Sequence, residues 1–304
     1  MLYPIRANMD HDGKKSEFCL ISKSAFEVQF TLTNVHYVLL NSMRHVMLEE
    51  IESLAFHTFR FGENHTVLKH EQIMHRLQMI PMCSDNVKDI CWTKDCDCEL
   101  QLCSKCSIEF RLEKTNVLDT IVDVTTEDLQ QINTNFHVKP LFQGADAFTI
   151  VSLAKGHSLR MTLYLQKGIG REHGKWVSVT TMKFQGVPLL DAEIFHGLDI
   201  SHQKQIVDTC PKKVFSIHQN QLDIEDLLSC TACDECLRIA NMPPQQEQQP
   251  YKKVKTLDFP RNVLLSETDF LVKVQTDGRV CIDDLFEQTF AILKNKLQHL
   301  FLRN

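Results

Sequence analysis

Phe26-Glu27-Val28-Gln29-Phe30-Thr31-Leu32-Thr33, followed by Asn41-Ser42-Met43-Arg44-His45-Val46-Met47-Leu48-Glu49-Glu50-Ile51, decides how the rest of the chain is read. The first stretch alternates apolar and polar residues, the period of a strand with one buried face. In the second, Met43, Val46, Met47 and Ile51 recur at helical spacing, and Asn41 or Ser42 is placed to cap the helix. The same order returns at the far end. Phe270, Val272 and Val274 alternate with Leu271, Lys273 and Gln275, and Asp277-Gly278 marks a turn. Ile282, Leu285, Phe286, Phe290, Leu293, Leu297, Leu300 and Phe301 then line one face of a long helix. A stripe of that length needs cover, either from the first helix or from a second chain.

Between these ends the texture changes to short strand-like runs: Ser107–Leu112, Phe148–Leu153, Ser158–Leu165 and Trp176–Phe184. Pro243-Pro244-Gln245-Gln246-Glu247-Gln248-Gln249-Pro250 reads as an exposed linker. Strands and helices in separate blocks suit a chain with two domains, or one domain carrying a large insertion. A length of 304 residues fits either. With 33 Lys+Arg against 39 Asp+Glu the chain carries −6, a poor balance for neutralising phosphate backbones, so no direct nucleic-acid ligand is expected. No apolar run reaches membrane-spanning length, and Met1–Arg6 opens no signal-like segment, so neither a membrane nor secretion is expected.

Twelve cysteines in a chain read as intracellular suggest metal ligands before disulfides. Cys96, Cys98, Cys103 and Cys106 form C-x-C-x4-C-x2-C, four soft ligands close enough in sequence to enclose one tetrahedral ion, and Cys91 is a spare. Structural Zn²⁺ is the expectation, against a loop of free thiols. Cys230, Cys233 and Cys236 form C-x2-C-x2-C, the ferredoxin run, with Ala240 where that run places its next cysteine. Cys210, followed by Pro211, can supply the fourth sulfur. The set would hold one iron–sulfur cluster, [4Fe-4S] or [3Fe-4S], with zinc and free thiols as the alternatives. A cluster there would staple the segment from Asp208 to Leu237.

Lys167-Gly168-Ile169-Gly170-Arg171-Glu172-His173-Gly174-Lys175-Trp176 lacks the third glycine of a dinucleotide loop and any Walker ending. It reads as a basic, glycine-hinged contact surface or as an ordinary loop. No H-E-x-x-H pair and no nucleophile elbow occurs anywhere, so no catalytic residues are assigned.

Taken in order, Asn41–Met47, His75-Arg76-Leu77-Gln78-Met79-Ile80-Pro81, Cys96–Cys106 leading into Ser107–Phe110, Lys167–His173 and the segment Phe270–Phe301 resemble the alpha-like subunit family of RNA polymerases. That family includes the third-largest subunit of eukaryotic polymerase II, the archaeal D subunit and the bacterial alpha N-terminal domain. The resemblance covers the chain from about Ser16 to Leu302. It implies an α+β fold whose dimerisation domain, 16–55 plus 255–304, is built from both chain ends. A large β-rich inserted domain, 56–185, would carry the zinc loop, and 186–254 would be a ferredoxin-like insertion and linker. It also implies a non-catalytic assembly subunit in the nucleus. Met43, Val46, Met47, Leu285, Phe286, Phe290, Leu293 and Leu297 would pair with a small alpha-like subunit. Lys167, Arg171, His173 and Trp176 would meet the second-largest subunit, with small zinc-binding subunits nearby. The zinc loop favours polymerase II, although its spacer between Cys98 and Cys103 is longer than usual. The second cysteine set instead resembles archaeal D subunits and some polymerase I and III counterparts. A different-class rival is a single-cluster redox protein.

Overall fold

The computed structural model describes residues 10–11, 14–85, 87–99, 102–133, 136–242 and 262–301. The Pro/Gln stretch 243–250 lies outside them. Strands β1 (Asp10–His11) and β2 (Lys14–Lys15) form a short ladder ahead of β3 (Glu17–Lys23) and β4 (Glu27–Thr33). In β4 the alternation holds, since Val28 and Phe30 are buried.

Helix α1 (Tyr37–Glu49) buries Leu40, Met43, Val46 and Met47. It begins four residues ahead of Asn41, so neither expected cap residue caps it. Asn41 instead accepts the Arg44 guanidinium at 2.9 Å, and the Ser42 hydroxyl donates to the Val38 carbonyl at 2.8 Å. A hydroxyl spent on the preceding turn is the usual fate of Ser inside a helix.

Strand β5 (Glu52–Asn64) and helix α2 (His70–Gln78) were not legible as elements, although His75–Gln78 lies in a segment that carries the resemblance. In β5, Leu54, Ala55 and Phe56 are all fully buried, which breaks the period-two pattern. Its pairing with β10 (Ser158–Ile169) also shifts register twice, between Arg160 and Met161 and between Tyr164 and Leu165. Each shift re-aims the side chains that follow it. The remaining strands of this region are β6 (Ser107–Thr115), β7 (Val122–Thr125), β8 (Leu129–Gln131) and β9 (Thr149–Leu153). One sheet has the order β5-β10-β6-β8, and β7 pairs with β9. Its core meets in the middle, where Phe56 and Phe110 pack edge to face at 5.5 Å.

Strand β11 (Val179–Leu189) starts three residues after Trp176, which belongs to a single 3₁₀ turn at Gly174–Trp176. Beyond it come α3 (Ile200–Thr209), the hairpin β12 (Phe215–His218) and β13 (Gln221–Ile224), and α4 (Glu235–Ala240). Leu190, Phe195, Ile206, Phe215, Leu222 and Leu237 give this segment an apolar core of its own, with Cys230 and Cys236 inside it. Asp208–Leu237 is thus not as poor in apolar packing as its sequence suggests. Strand β14 (Leu264–Thr276) completes a second sheet in the order β11-β14-β4-β3, and α5 (Ile282–Phe301) follows the Asp277-Gly278 turn. The fold is α+β with antiparallel pairing. It divides into two compact units, 1–21 with 30–37 and 184–272, and 22–29 with 38–183 and 273–304.

Candidate metal centres and contact surfaces

The first cysteine set closes on itself. Cys96 and Cys98 follow a 3₁₀ turn at Thr93–Asp95, and Cys103 and Cys106 sit on the turn that opens β6. That turn is tied by the Cys103 carbonyl, which accepts the N–H groups of Cys106 at 3.1 Å and Ser107 at 2.9 Å. Cys96 and Cys103 Sγ are 3.5 Å apart, as Cys98 and Cys106 are 3.6 Å and Cys103 and Cys106 3.6 Å. Among the described residues this is the one group of three or more such ligands gathered within 4.8 Å. Sulfurs at ~2.3 Å from a tetrahedral ion stand about 3.8 Å from one another, so the four fit a single closed metal site. The Lys105 backbone N–H holds the Cys103 thiol down at about 6, while burial pushes Cys106 up. One ligand is poised as thiolate, and the rest give up protons when a cation enters. Cys91 is exposed and stands outside the quartet, its N–H donating to the Lys105 carbonyl.

The second set gathers differently. Cys210, at the end of α3, and Cys230, Cys233 and Cys236, leading into α4, line one cavity with Val214, Phe215 and Val263. No three of their sulfurs all lie within 4.8 Å of one another, unlike those of the first set. Cys230 and Cys236 are buried, and burial pushes the Cys236 thiol up to about 12. Ala232 and Asp234 both take positive φ, 50° and 61°, which curls the triplet around the cavity. The Ala232 N–H donates to Cys230 Sγ at 3.4 Å, and the Asp234 carboxylate accepts the Val263 N–H. Such N–H···S bonds stabilise thiolate charge, whatever metal group shares it.

The basic loop divides. Lys167 and Trp176 are buried, whereas Arg171 and His173 are exposed. Lys167 pairs with Glu52 at 3.0 Å, and Glu52 also accepts the Trp92 indole N–H at 3.1 Å, anchoring the approach to the first cysteine set. Arg171 pairs with Glu49 and Glu50 at the end of α1, and Glu50 pairs with Lys296 of α5. Gly168 and Gly170 serve close approach, whereas Gly174 faces open space. A Cβ on Gly168 would meet the Trp176 ring at 2.2 Å, and one on Gly170 would meet the Leu48 carbonyl at 2.4 Å. Gly168→Ala should therefore lower the stability of the full-length chain by about 1–3 kcal/mol, read from its urea midpoint. An unchanged midpoint would show that the indole can move aside without cost.

The expected dimer residues form a gradient. Met43, Val46, Met47 and Leu285 are each 2 % exposed or less, covered by the chain itself. Phe286 and Leu293 are partly exposed, Phe290 is 46 % exposed, Leu297 55 % and Leu300 64 %. The distal half of α5 thus carries an uncovered apolar stripe. Leu300 belongs to it although it stood outside the expected set.

The chain matches the family model described as RNA polymerase Rpb3/RpoA insert domain over residues 60–193. It is 31% identical over 301 residues to the conjugation stage-specific protein of Tetrahymena thermophila, covering 92% of each chain. It is 31% identical over 282 residues to DNA-directed RNA polymerase II subunit rpb3 of Dictyostelium discoideum, covering 88% of each. The DNA-directed RNA polymerases I and III subunit rpac1 of the same organism is 26% identical over 300 residues, 95% of this chain and 82% of that one. Likeness of this extent, over a fold whose motifs occur in the family's order, makes the chain a member of the Rpb3/RpoA family of RNA polymerase subunits.

Proposed function

We propose that this protein is a non-catalytic assembly subunit of a DNA-directed RNA polymerase, acting in the nucleus. The observation that carries the reading is the apolar half of α5 left uncovered on a chain of this family. The higher identity to a polymerase II subunit than to a polymerase I and III subunit favours polymerase II. The stripe takes a small alpha-like subunit, and the pair docks on the second-largest subunit beside small zinc-binding subunits. In this reading 16–55 and 255–304 form the dimerisation domain, 56–185 the inserted domain, and 186–254 the ferredoxin-like insertion. Mass spectrometry of the complex isolated through this chain should return the large polymerase subunits. Recovery of the chain alone, or with electron-transfer partners, would favour the redox rival.

Cys96, Cys98, Cys103 and Cys106 hold one structural Zn²⁺ in this reading, since sulfurs 3.5–3.6 Å apart suit one closed tetrahedral ion. Cys210, Cys230, Cys233 and Cys236 hold one iron–sulfur cluster, because in a cluster each thiolate binds its own iron and the sulfurs need not crowd one ion. Four cysteines on one cavity, no three of whose sulfurs lie within 4.8 Å of one another, support that choice over a second zinc. Protein purified without oxygen should be brown, with iron and labile sulfide in addition to one zinc. A colourless protein with two zinc ions and no iron would assign zinc to the second site.

A further inference from the structure

Lys175 is 2 % exposed, yet it belongs to the wall of a pocket of about 390 Å³ lined also by His57, Gln78, Glu172, His173 and Trp176. Its ammonium donates to the Phe56 carbonyl at 3.1 Å and to His57 Nδ1 at 2.7 Å, and it lies 4.4 Å from the Trp176 ring centre. Because lysine only donates, His57 Nδ1 must be the acceptor, so that imidazole is neutral. Among the described residues no carboxylate pairs with Lys175. Glu172 lines the same pocket but is exposed. A buried cation without a counter-ion is costly, and desolvation alone brings the Lys175 amine down to about 8. The backbone on either side is pinned, since the Lys175 N–H donates to His173 Nδ1 and its carbonyl accepts the Arg279 guanidinium. The side chain is thus held by its surroundings, and its charge is left uncompensated.

The geometry points to this pocket as the receptor for a carboxylate side chain, an Asp or Glu presented by the polypeptide that docks on the 167–176 loop. A monoanion fits better than a phosphate, because Glu172 shares the wall and would oppose a second negative charge. A tethered side chain fits better than a dissolved carboxylate, because a single ammonium–carboxylate contact must repay the cost of drying both charges and binds weakly alone. Holding the anion in an interface supplies the missing effective concentration. The identity of that polypeptide as a polymerase subunit rests on the function proposed above.

A water-soluble carbodiimide joins a carboxylate to the amine it contacts, with loss of water to the reagent, and needs no substitution in the chain. Applied to the complex isolated through the wild-type chain, it should produce an amide between Lys175 Nζ and an Asp or Glu of another subunit. Lys175→Met in the full-length chain should leave its melting temperature equal or higher, while weakening retention of the docked subunit at least tenfold. A purely structural lysine would show the reverse, lowered melting with unchanged retention. Lys175 left unlinked while neighbouring surface lysines react would overturn the proposal. Coupling only to added acetate would replace the partner side chain by a small carboxylate and overturn it equally. If no polymerase subunit accompanies the wild-type chain at all, the proposed function fails, and the carboxylate partner is then read from whichever protein carries the Lys175 link.

Discussion

Cys106→Ser should abolish metal binding at the first cysteine set and release the loop from Cys91 to Cys106. Structural zinc in small peptides contributes roughly 10–16 kcal/mol of apparent free energy at neutral pH, more than the loop's own contacts supply. The described residues between Cys96 and Cys106 bury no apolar side chain, and Cys106 itself is the buried member. It leads directly into β6, where Ile108 and Phe110 are core residues, so an ion held there would join a poorly packed loop to a packed strand. Metal analysis of the full-length protein should fall by one zinc per chain in this variant. It should stay at one in a variant with Cys210, Cys230, Cys233 and Cys236 all changed to Ser. Zero zinc in that quadruple variant would remove the assignment. Affinity should also fall with acid, since protons compete for the same sulfurs. Once pH drops through about 6, Cys103 takes up a proton as well, and retention against a chelator should decline more steeply below that value.

The double variant Phe290→Ala with Leu297→Ala should leave the chain folded but unable to hold the small subunit proposed to cover α5. Both side chains are about half exposed in the chain alone, so truncation removes little intramolecular packing. The two sites stand two turns apart on α5, about 10 Å along the axis, far enough for their losses to add. Anchors of this kind cost about 2 kcal/mol each when truncated, so the pair should lose about 4 kcal/mol, roughly a thousandfold in affinity. Met43→Ala is the contrasting control. Met43 is 2 % exposed inside the chain's own core, and its truncation should cost about 2–5 kcal/mol of folding stability. Pull-down and urea titration of both variants separate the two effects. Normal partner affinity in the double variant would place the interface elsewhere.

Much of this was readable without coordinates. The alternation Val28–Phe30 and Phe270–Val272–Val274 marked β4 and β14, and the spacing of Met43, Val46 and Met47 marked the buried face of α1. These signals survive because one face of each element is buried and the other is not, which imposes a period on the residues themselves. The spacing of Cys96, Cys98, Cys103 and Cys106 marked the first cluster for a similar reason: side chains close in sequence can be close in space.

Where partners come from distant parts of the chain, the sequence was silent. Strand β5 carries no clean period, since register shifts against β10 and a run of buried residues erase it. Gly168 and Gly170 read as hinges, but the Trp176 ring and the Leu48 carbonyl are what exclude a Cβ there. Lys167 and Trp176 read as surface groups and proved buried, while Lys175, unnoticed in the sequence, became the buried cation of a pocket. Local spacing thus marked the elements and grouped the cysteines, and the ordered motifs carried the resemblance to the family. Burial, which depends on contacts between residues far apart in the chain, was decided by tertiary structure alone. It determined which face of α5 remains open and which charges lie without a counter-ion.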